Sequence, residues 1–332
     1  MAERVSQLVE DRNDLGANAP ISTPYVVYIE PSSFCNLACK FCPHFIDPEK
    51  INKTYMSPDV FLKICSDITQ FPEKIKLMRF CGLGDSLMNK SFPSFVETAR
   101  RLNVADRYEL ITNGILLRRE NREILARDLD RIIISVEGLN DQDYVDFTNR
   151  KIKFKRFVKA VESLRAVSGR RAKLHIKIHN SAVQTDEKKQ EFFRIFQPLA
   201  DEIFVENLIN LWPEVESNLG LDSGHRFVNA RYRGVEVCAQ IFKSLQVNAD
   251  GSVFPCCIDW RGVNNLGNVL DTSLLEIWGS QKLSELRMLH LEGKKNTHAP
   301  CSGCDMNELS DIDFIDDHAD QIIARMKPLA TA

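Results

Sequence analysis

Two kinds of hydrophobic pattern alternate along the chain. Short apolar runs predict strands at 25–30, 77–81, 108–112, 131–136, 173–179 and 202–206. Between them, apolar positions recurring every three or four residues predict helices at 57–68, 92–102, 121–127, 155–167 and 188–199. Six β–α alternations in order call for an α/β fold with a parallel sheet, either doubly wound or a partial barrel. From about Val235 the pattern changes. Runs 242–248 and 253–256 flank Ala249–Asp250–Gly251–Ser252, an Asp-Gly hairpin signal. A helical stretch, 273–292, and a final helix near 311–327 follow, and Pro213, Gly220 and Gly224 place a domain junction near 210–235.

Strand alternation also carries functional information. In 173–179, Leu174, Ile176 and Ile178 share one face while His175, Lys177 and His179 share the other. A parallel strand covered on both faces reads as nearly continuous apolar, so a polar stripe predicts a strand lining a wet cavity. Arg79 and Cys81, Ser135 and Glu137, and Glu206 repeat this on neighbouring strands. A register error or an edge strand is the plainer explanation of the same stripe.

Composition narrows the class. The chain has 332 residues, enough for one large and one smaller domain, and its net charge of −3 supplies no field toward nucleic acid or anionic membrane. Residues 1–14 are charged and lack an apolar signal core, and no uncharged apolar run nears the roughly 18 residues of a membrane span. A cytoplasmic protein is expected. Ten cysteines there point to metal binding or catalysis sooner than to disulfides.

Phe34–Cys35–Asn36–Leu37–Ala38–Cys39–Lys40–Phe41–Cys42 directly follows the first predicted strand, at the end where α/β sites form. Three thiols on one tight loop suit a four-iron cluster that leaves one iron open to a small molecule. A structural zinc would need a fourth ligand, for which His44 is a candidate. Cys238, Cys256, Cys301 and Cys304 form a second set of four, complete for either zinc or a cluster on spacing alone.

The first cluster resembles the CxxxCxxC loop of the radical S-adenosylmethionine (SAM) superfamily, and further segments agree in order. Cys81–Gly82–Leu83–Gly84–Asp85 is similar to its glycine-rich loop receiving the SAM amino group, with Asp85–Ser86 departing from the usual Glu-Pro. Thr112–Asn113–Gly114 and Ser135–Val136–Glu137–Gly138 are similar to its Thr-Asn-Gly and Ser-x-Asp-Gly segments, the last with a carboxylate swap. The resemblance spans about 24–210 and implies a partial (β/α)6 TIM-type barrel. It also implies a [4Fe-4S] cluster on Cys35, Cys39 and Cys42, with SAM against Phe41, Gly82, Gly84, Asp85, Thr112, Asn113, Ser135 and Glu137. SAM cleavage on such a cluster yields a 5′-deoxyadenosyl radical that takes a hydrogen atom from substrate. A flavodoxin- or ferredoxin-type electron donor goes with that chemistry.

The C-terminal part resembles the SPASM/twitch auxiliary-cluster domains through Asn248–Ala249–Asp250–Gly251, Leu266–Gly267–Asn268–Val269 and Leu274–Leu275–Glu276–Ile277–Trp278. Five cysteines fit the shortened form with one auxiliary [4Fe-4S] cluster. The expected layout is an N-terminal extension (1–23), a radical SAM core (24–215), an auxiliary domain (230–310) and a C-terminal helix (311–332).

Three reactions fit. Within this subgroup the cysteine separations are similar to those of a dehydrogenase acting on an aminocyclitol. That implies oxidation of a secondary alcohol in a sugar-like small molecule, with Lys177, His175, His179 or Glu206 as base. Cys257, next to Cys256, resembles the hydrogen-donor cysteine of radical epimerases, although a small packed residue is the plainer explanation. Peptide modification is the third, against which stand only about two dozen residues before the first strand. A zinc-stapled binding module is the non-enzymatic alternative. Cys65 falls at helical spacing with Phe61, Ile64 and Ile68 and is expected in the core, and the basic run from Lys151 to Lys159 is expected to be a solvated helix face.

Overall fold

The computed structural model describes residues 3–4, 14–167, 169–208, 212, 235–304 and 313–327. The expected domain junction falls almost wholly outside them.

Among the described residues ten strands form one sheet: β1 (Glu3–Arg4), β2 (Val26–Ile29), β3 (Ile75–Phe80), β4 (Ala105–Thr112), β5 (Arg131–Val136), β6 (Lys173–His179), β7 (Glu202–Glu206), β8 (Ser244–Val247), β9 (Ser252–Phe254) and β10 (Gly267–Asn268). Their order is β1-β7-β6-β5-β4-β3-β2-β8-β9-β10. Strands β2 to β7 are mutually parallel, each returning through helical chain, as the β–α alternation predicts. This is the partial barrel of the expected α/β class.

Alternation along each strand sorts the two faces. Val27, Ile29, Met78, Phe80, Leu110, Ile132, Ile134 and Ile176 join the main hydrophobic core with residues of the covering helices, among them Phe61, Ile64 and Cys65 from Pro58–Ile68 and Phe92, Phe95 and Val96 from Phe92–Leu102. The opposite face is polar. Near the bottom, Glu109 is 1% exposed and accepts from Arg79 Nε at 2.9 Å and Nη2 at 2.6 Å, with Arg131 Nη1 at 3.0 Å. A carboxylate so buried is tolerable only when paired, and two guanidiniums pair it.

Boundaries shifted where local chemistry competed with periodicity. The expected 273–292 helix is two helices, Leu274–Trp278 and Gln281–Leu291, parted at Gly279 and Ser280, where Ser280 caps the second by accepting from Leu283 N. The expected strand 242–248 begins instead with a helical turn, Gln240–Lys243, leaving Ser244–Val247 as strand. Helix Asp141–Thr148 was not expected at all. It carries only two buried residues, Tyr144 and Thr148, too few to make a periodic signal.

The C-terminal hairpin continues the sheet. β8 runs parallel to β2, pairing Tyr28 with Gln246 and Ile29 with Val247, and β9 returns antiparallel through Asp250–Gly251, with Gly251 at φ +84°. Helix Leu274–Trp278 docks on Pro58–Ile68, where buried Asp67 accepts from Leu274 N at 3.2 Å. A second core gathers Leu15 and Ala19, then Val237, Ile241, Phe242, Leu286 and Leu291, then Ile315, Ile322 and Met326. The segment before the barrel and the C-terminal helix, Ala319–Met326, therefore pack with the auxiliary region.

Candidate functional site

The CxxxCxxC loop sits over the C-terminal ends of the strands and is tied down on two sides. Ser33 N donates to Thr54 O at 3.1 Å, and Ser33 Oγ accepts from Thr54 N at 2.7 Å. On the other side, Ala38 N donates to Thr148 O and Lys40 N to Phe147 O, each at 3.0 Å, so the end of helix Asp141–Thr148 holds the loop. Burial pushes the Cys35 and Cys42 thiols up to about 12 and raises Cys39 well above its usual range, with nearby carboxylates adding to the shift. These thiols stay protonated unless a cation takes up their charge, as a metal-binding loop requires.

The glycine-rich loop leans directly on the cysteine loop. A Cβ on Gly84 would lie 2.2 Å from Ser32 O and 2.5 Å from Phe34 O, both backbone atoms that cannot yield. Asp85 is 3% exposed; Oδ2 accepts from Thr112 Oγ1 at 2.8 Å and Asn113 N at 2.9 Å, and Oδ1 accepts from Leu87 N at 2.9 Å. Asp85 therefore braces the loop against the Thr112–Asn113–Gly114 turn; its carboxylate is turned inward, not extended toward a ligand. Asn113 completes the latch, its Nδ2 donating to Asn36 Oδ1 at 2.9 Å and lying 3.8 Å from Cys35 Sγ.

Sequence reasoning missed Glu30. Its Oε1 accepts from Leu83 N at 2.7 Å and Gly84 N at 3.3 Å. Burial raises its pKa, and those amides oppose the rise. The signal was alternation on β2, where Tyr28 is followed two residues later by Glu30, opposite core-facing Val27 and Ile29.

Six predicted residues meet in one cavity. Glu137, Lys177, His179 and Glu206 line it together with Ser135 and Phe41. Lys177 Nζ pairs with Glu206 at 2.5 and 2.7 Å. His179 stacks on Phe147 with centroids 4.0 Å apart, bonds Ser181 Oγ through Nδ1 at 2.6 Å, and sets Nε2 3.5 Å from Glu137 Oε2. Burial drives Glu137 up to about 7, with Lys177 opposing, and drives His179 down to about 4, with Lys177 adding. The polar stripe is thus real over Lys177 and His179. It fails at His175, which is fully buried, does not line this cavity, and faces Glu202 with Nδ1 3.3 Å from Oε2. The physical reason is depth: His175 lies one layer below the strand ends.

Cys238, Cys256, Cys301 and Cys304 all line a second cavity, whose walls include Ile241, Pro255, Ile258 and Pro300. Burial raises Cys301 to about 12; Cys256 is raised well above its usual range, first by a hydrogen bond with Cys257 and then by burial. Among the described residues no group of three or more His, Cys, Asp or Glu could hold a single metal ion. The same cavity is also lined by Asp259, Asn264, His290 and Lys295, and four thiolates are a ligand set an iron–sulfur cluster takes.

A third cavity lies between these two regions. Gly82 and Leu83 of the glycine-rich loop line it with Cys257, and Cys256 borders both it and the four-thiol cavity. Cys65 is fully buried in the main core and the Lys151, Lys153, Lys155, Arg156 and Lys159 side chains are exposed, both as expected.

The chain belongs to the radical SAM superfamily, whose model matches residues 29–196, just over half of it. An iron–sulfur cluster-binding SPASM domain matches residues 238–305. It is thus a radical SAM enzyme with a SPASM domain, using SAM and a [4Fe-4S] cluster, with further iron–sulfur in the second domain. It is 26% identical to the tungsten-containing aldehyde ferredoxin oxidoreductase cofactor-modifying protein of Pyrococcus furiosus, over 86% of this chain and 88% of that one. Identity to the GTP 3′,8-cyclase of Chlorobaculum tepidum is 22%, over 82% and 90%. Among solved structures, native anSMEcpe with bound AdoMet superposes with TM-score 0.60 at 16% identity, over 92% of this chain and 97% of that one. BtrN in complex with AdoMet and 2-DOIA gives 0.56 at 17%, over 88% and 97%. At such identities the structural likeness shows the fold alone. Among the described residues no helix is long and apolar enough to cross a membrane.

Proposed function

We propose that this enzyme dehydrogenates a secondary alcohol of a carbohydrate or aminocyclitol. On this reading Cys35, Cys39 and Cys42 hold the catalytic cluster, and Cys238, Cys256, Cys301 and Cys304 hold one auxiliary [4Fe-4S] cluster. Phe41, Gly82, Gly84, Thr112, Asn113, Ser135 and Glu137 frame SAM, with Asp85 bracing the frame. When bound, SAM and the catalytic cluster supply the radical that removes the carbinol hydrogen atom, and the iron–sulfur groups take up the electron. The chain itself must remove the hydroxyl proton.

The observation that carries this reading is the Lys177–Glu206 pair in the cavity beside Phe41 of the cysteine loop. Glu206 is the proton acceptor we assign, held in place by Lys177. His179, driven down to about 4, is a weak base and serves as a wall beside Glu137. His175 drops out because it lies below the cavity.

A second reading, radical epimerisation, is favoured by Cys257 sharing a cavity with Gly82 and Leu83. Product mass separates the two. Anaerobically reconstituted enzyme with SAM, a flavodoxin- or ferredoxin-type donor and substrate should give 5′-deoxyadenosine and a product lighter by two hydrogens. Glu206→Gln should slow product release of the proton while leaving SAM binding intact. Unchanged mass with one solvent deuterium, lost in Cys257→Ala, would establish the epimerase instead. Absence of 5′-deoxyadenosine would remove both.

A further inference from the structure

The wall of the four-thiol cavity holds two buried donors that the surrounding protein leaves unsatisfied. One is His290, near the end of helix Gln281–Leu291. It is fully buried, and its Nδ1 accepts from Cys238 N at 3.3 Å. An imidazole nitrogen that accepts carries no proton, so the ring hydrogen sits on Nε2. Among the described residues Nε2 has no hydrogen-bond partner. It is therefore a donor, unable to ligate a metal while protonated, and a buried donor left unpaired costs stability.

The other is Lys295. Helix Gln281–Leu291 stops at Gly293, φ +71°, where Gly293 N donates to His290 O at 3.0 Å and Lys294 N to Leu289 O at 2.9 Å. That stop turns the chain so that Lys295, two residues on, borders the same cavity. Lys295 is 8% exposed, and among the described residues its ammonium meets no carboxylate; Nζ donates to Cys304 O at 3.4 Å. Asp259 also lines the cavity, but its oxygens are taken up elsewhere, Oδ1 by Val263 N at 3.0 Å and Oδ2 by Asn264 N at 2.6 Å. A buried ammonium is tolerated when an anion faces it. Both unsatisfied groups share their cavity with Cys238, Cys256, Cys301 and Cys304. A [4Fe-4S] cluster on four thiolates is such an anion; its sulfurs accept hydrogen bonds, and its potential follows those bonds and the net charge.

We propose that His290 Nε2 and Lys295 Nζ donate to the auxiliary cluster and raise its reduction potential, which makes it an electron acceptor. The proposal rests on the reading that the four cysteines hold a [4Fe-4S] cluster. Reduction adds one electron, and hence one negative charge, to that cluster. The ammonium and the imidazole N–H favour the more negative state over the oxidised one. In the dehydrogenation, the deprotonated substrate radical gives up that electron and becomes the ketone; in vitro, dithionite supplies it.

The test is a redox titration followed by electron paramagnetic resonance. It uses the full chain carrying Cys35→Ala, Cys39→Ala and Cys42→Ala, reconstituted so that the auxiliary cluster alone is present. In this parent, Lys295→Met should make reduction at a fixed potential at least about tenfold less favourable, a lowering of about 59 mV for one electron. Lys295→Arg, which keeps the charge, should restore it. With isotopically labelled histidine, a weak nitrogen coupling to the reduced cluster should appear in the parent and vanish in His290→Phe. An unchanged potential in Lys295→Met with the cluster intact, or no histidine coupling in the parent, overturns the proposal. Should Lys295→Met fail to assemble the cluster, the histidine coupling decides alone. Zinc without sulfide in the parent would end the cluster reading itself, and the proposal with it. Both readouts are taken without substrate, so they stand apart from the dehydrogenase reading.

Discussion

Glu30 shows how one buried carboxylate can serve two regions. Two backbone amides of the glycine-rich loop converge on it, and the Ala249 amide of the auxiliary hairpin favours its charge. Glu30→Ala strands both loop amides, at about 1–3 kcal/mol for each donor left buried without a partner. The expected outcome is a fall of about tenfold or more in SAM affinity together with a lower melting temperature, whereas Glu30→Gln, which keeps one acceptor oxygen, should restore most of both. Equilibrium dialysis with SAM and thermal melts check this.

Glu137 and His179 make a paired pH prediction. Folding raises Glu137 from 4.5 to about 7, so its contribution is greatest below about 4.5 and is lost as pH rises through about 7. Folding lowers His179 from 6.5 to about 4, so its contribution is present above about 6.5 and is lost as pH falls through about 4. The two slopes oppose each other and nearly cancel between about pH 4.5 and 6.5. In the metal-free protein, Glu137→Gln should expose the histidine slope, stability relative to wild type rising with pH, and His179→Gln should expose the opposite slope. Chemical denaturation across that window reads both signs.

At the scale of elements, helix Asp141–Thr148 governs the cysteine loop. Asn140 caps it by accepting from Gln142 N and Asp143 N, both at 2.9 Å, and its last carbonyls receive Ala38 N and Lys40 N. Asn140→Ala should cost about 1 kcal/mol of stability and speed iron loss to a chelator, measured as bleaching of cluster absorbance. This helix also marks where the sequence stopped being legible. The six core strands were readable because each is a short run with a clear apolar face, and three of them were found to the residue: β5, β6 and β7. The helix has no apolar stripe to read; its only signs were the Asn140 cap and the acids Asp141 and Asp143 in the first turn. The candidate site divides similarly. Cysteine spacing and strand alternation pointed to the residues whose types are rare or charged. Glu30 escaped notice because its role comes from neighbours distant in sequence, the 83–84 loop. Depth within the barrel, which removed His175, is likewise invisible to alternation along one strand.

Across the whole molecule, the catalytic and auxiliary regions share a sheet and a helix contact. β8 covers the edge of β2, and Leu274–Trp278 covers part of Pro58–Ile68. A chain ending at residue 208 should therefore expose Val26–Ile29 as an apolar edge strand and aggregate, where two independent domains would leave a soluble core. Yield and elution volume of the shortened chain distinguish these outcomes.

Strand β8 lies in hydrogen-bonded register beside β2. One cysteine loop leaves the end of β2 and Cys256 follows shortly after β9, so both hang from one sheet with β8 between their strands. The placement of the two loops relative to each other therefore rests in part on amide pairing between β2, β8 and β9.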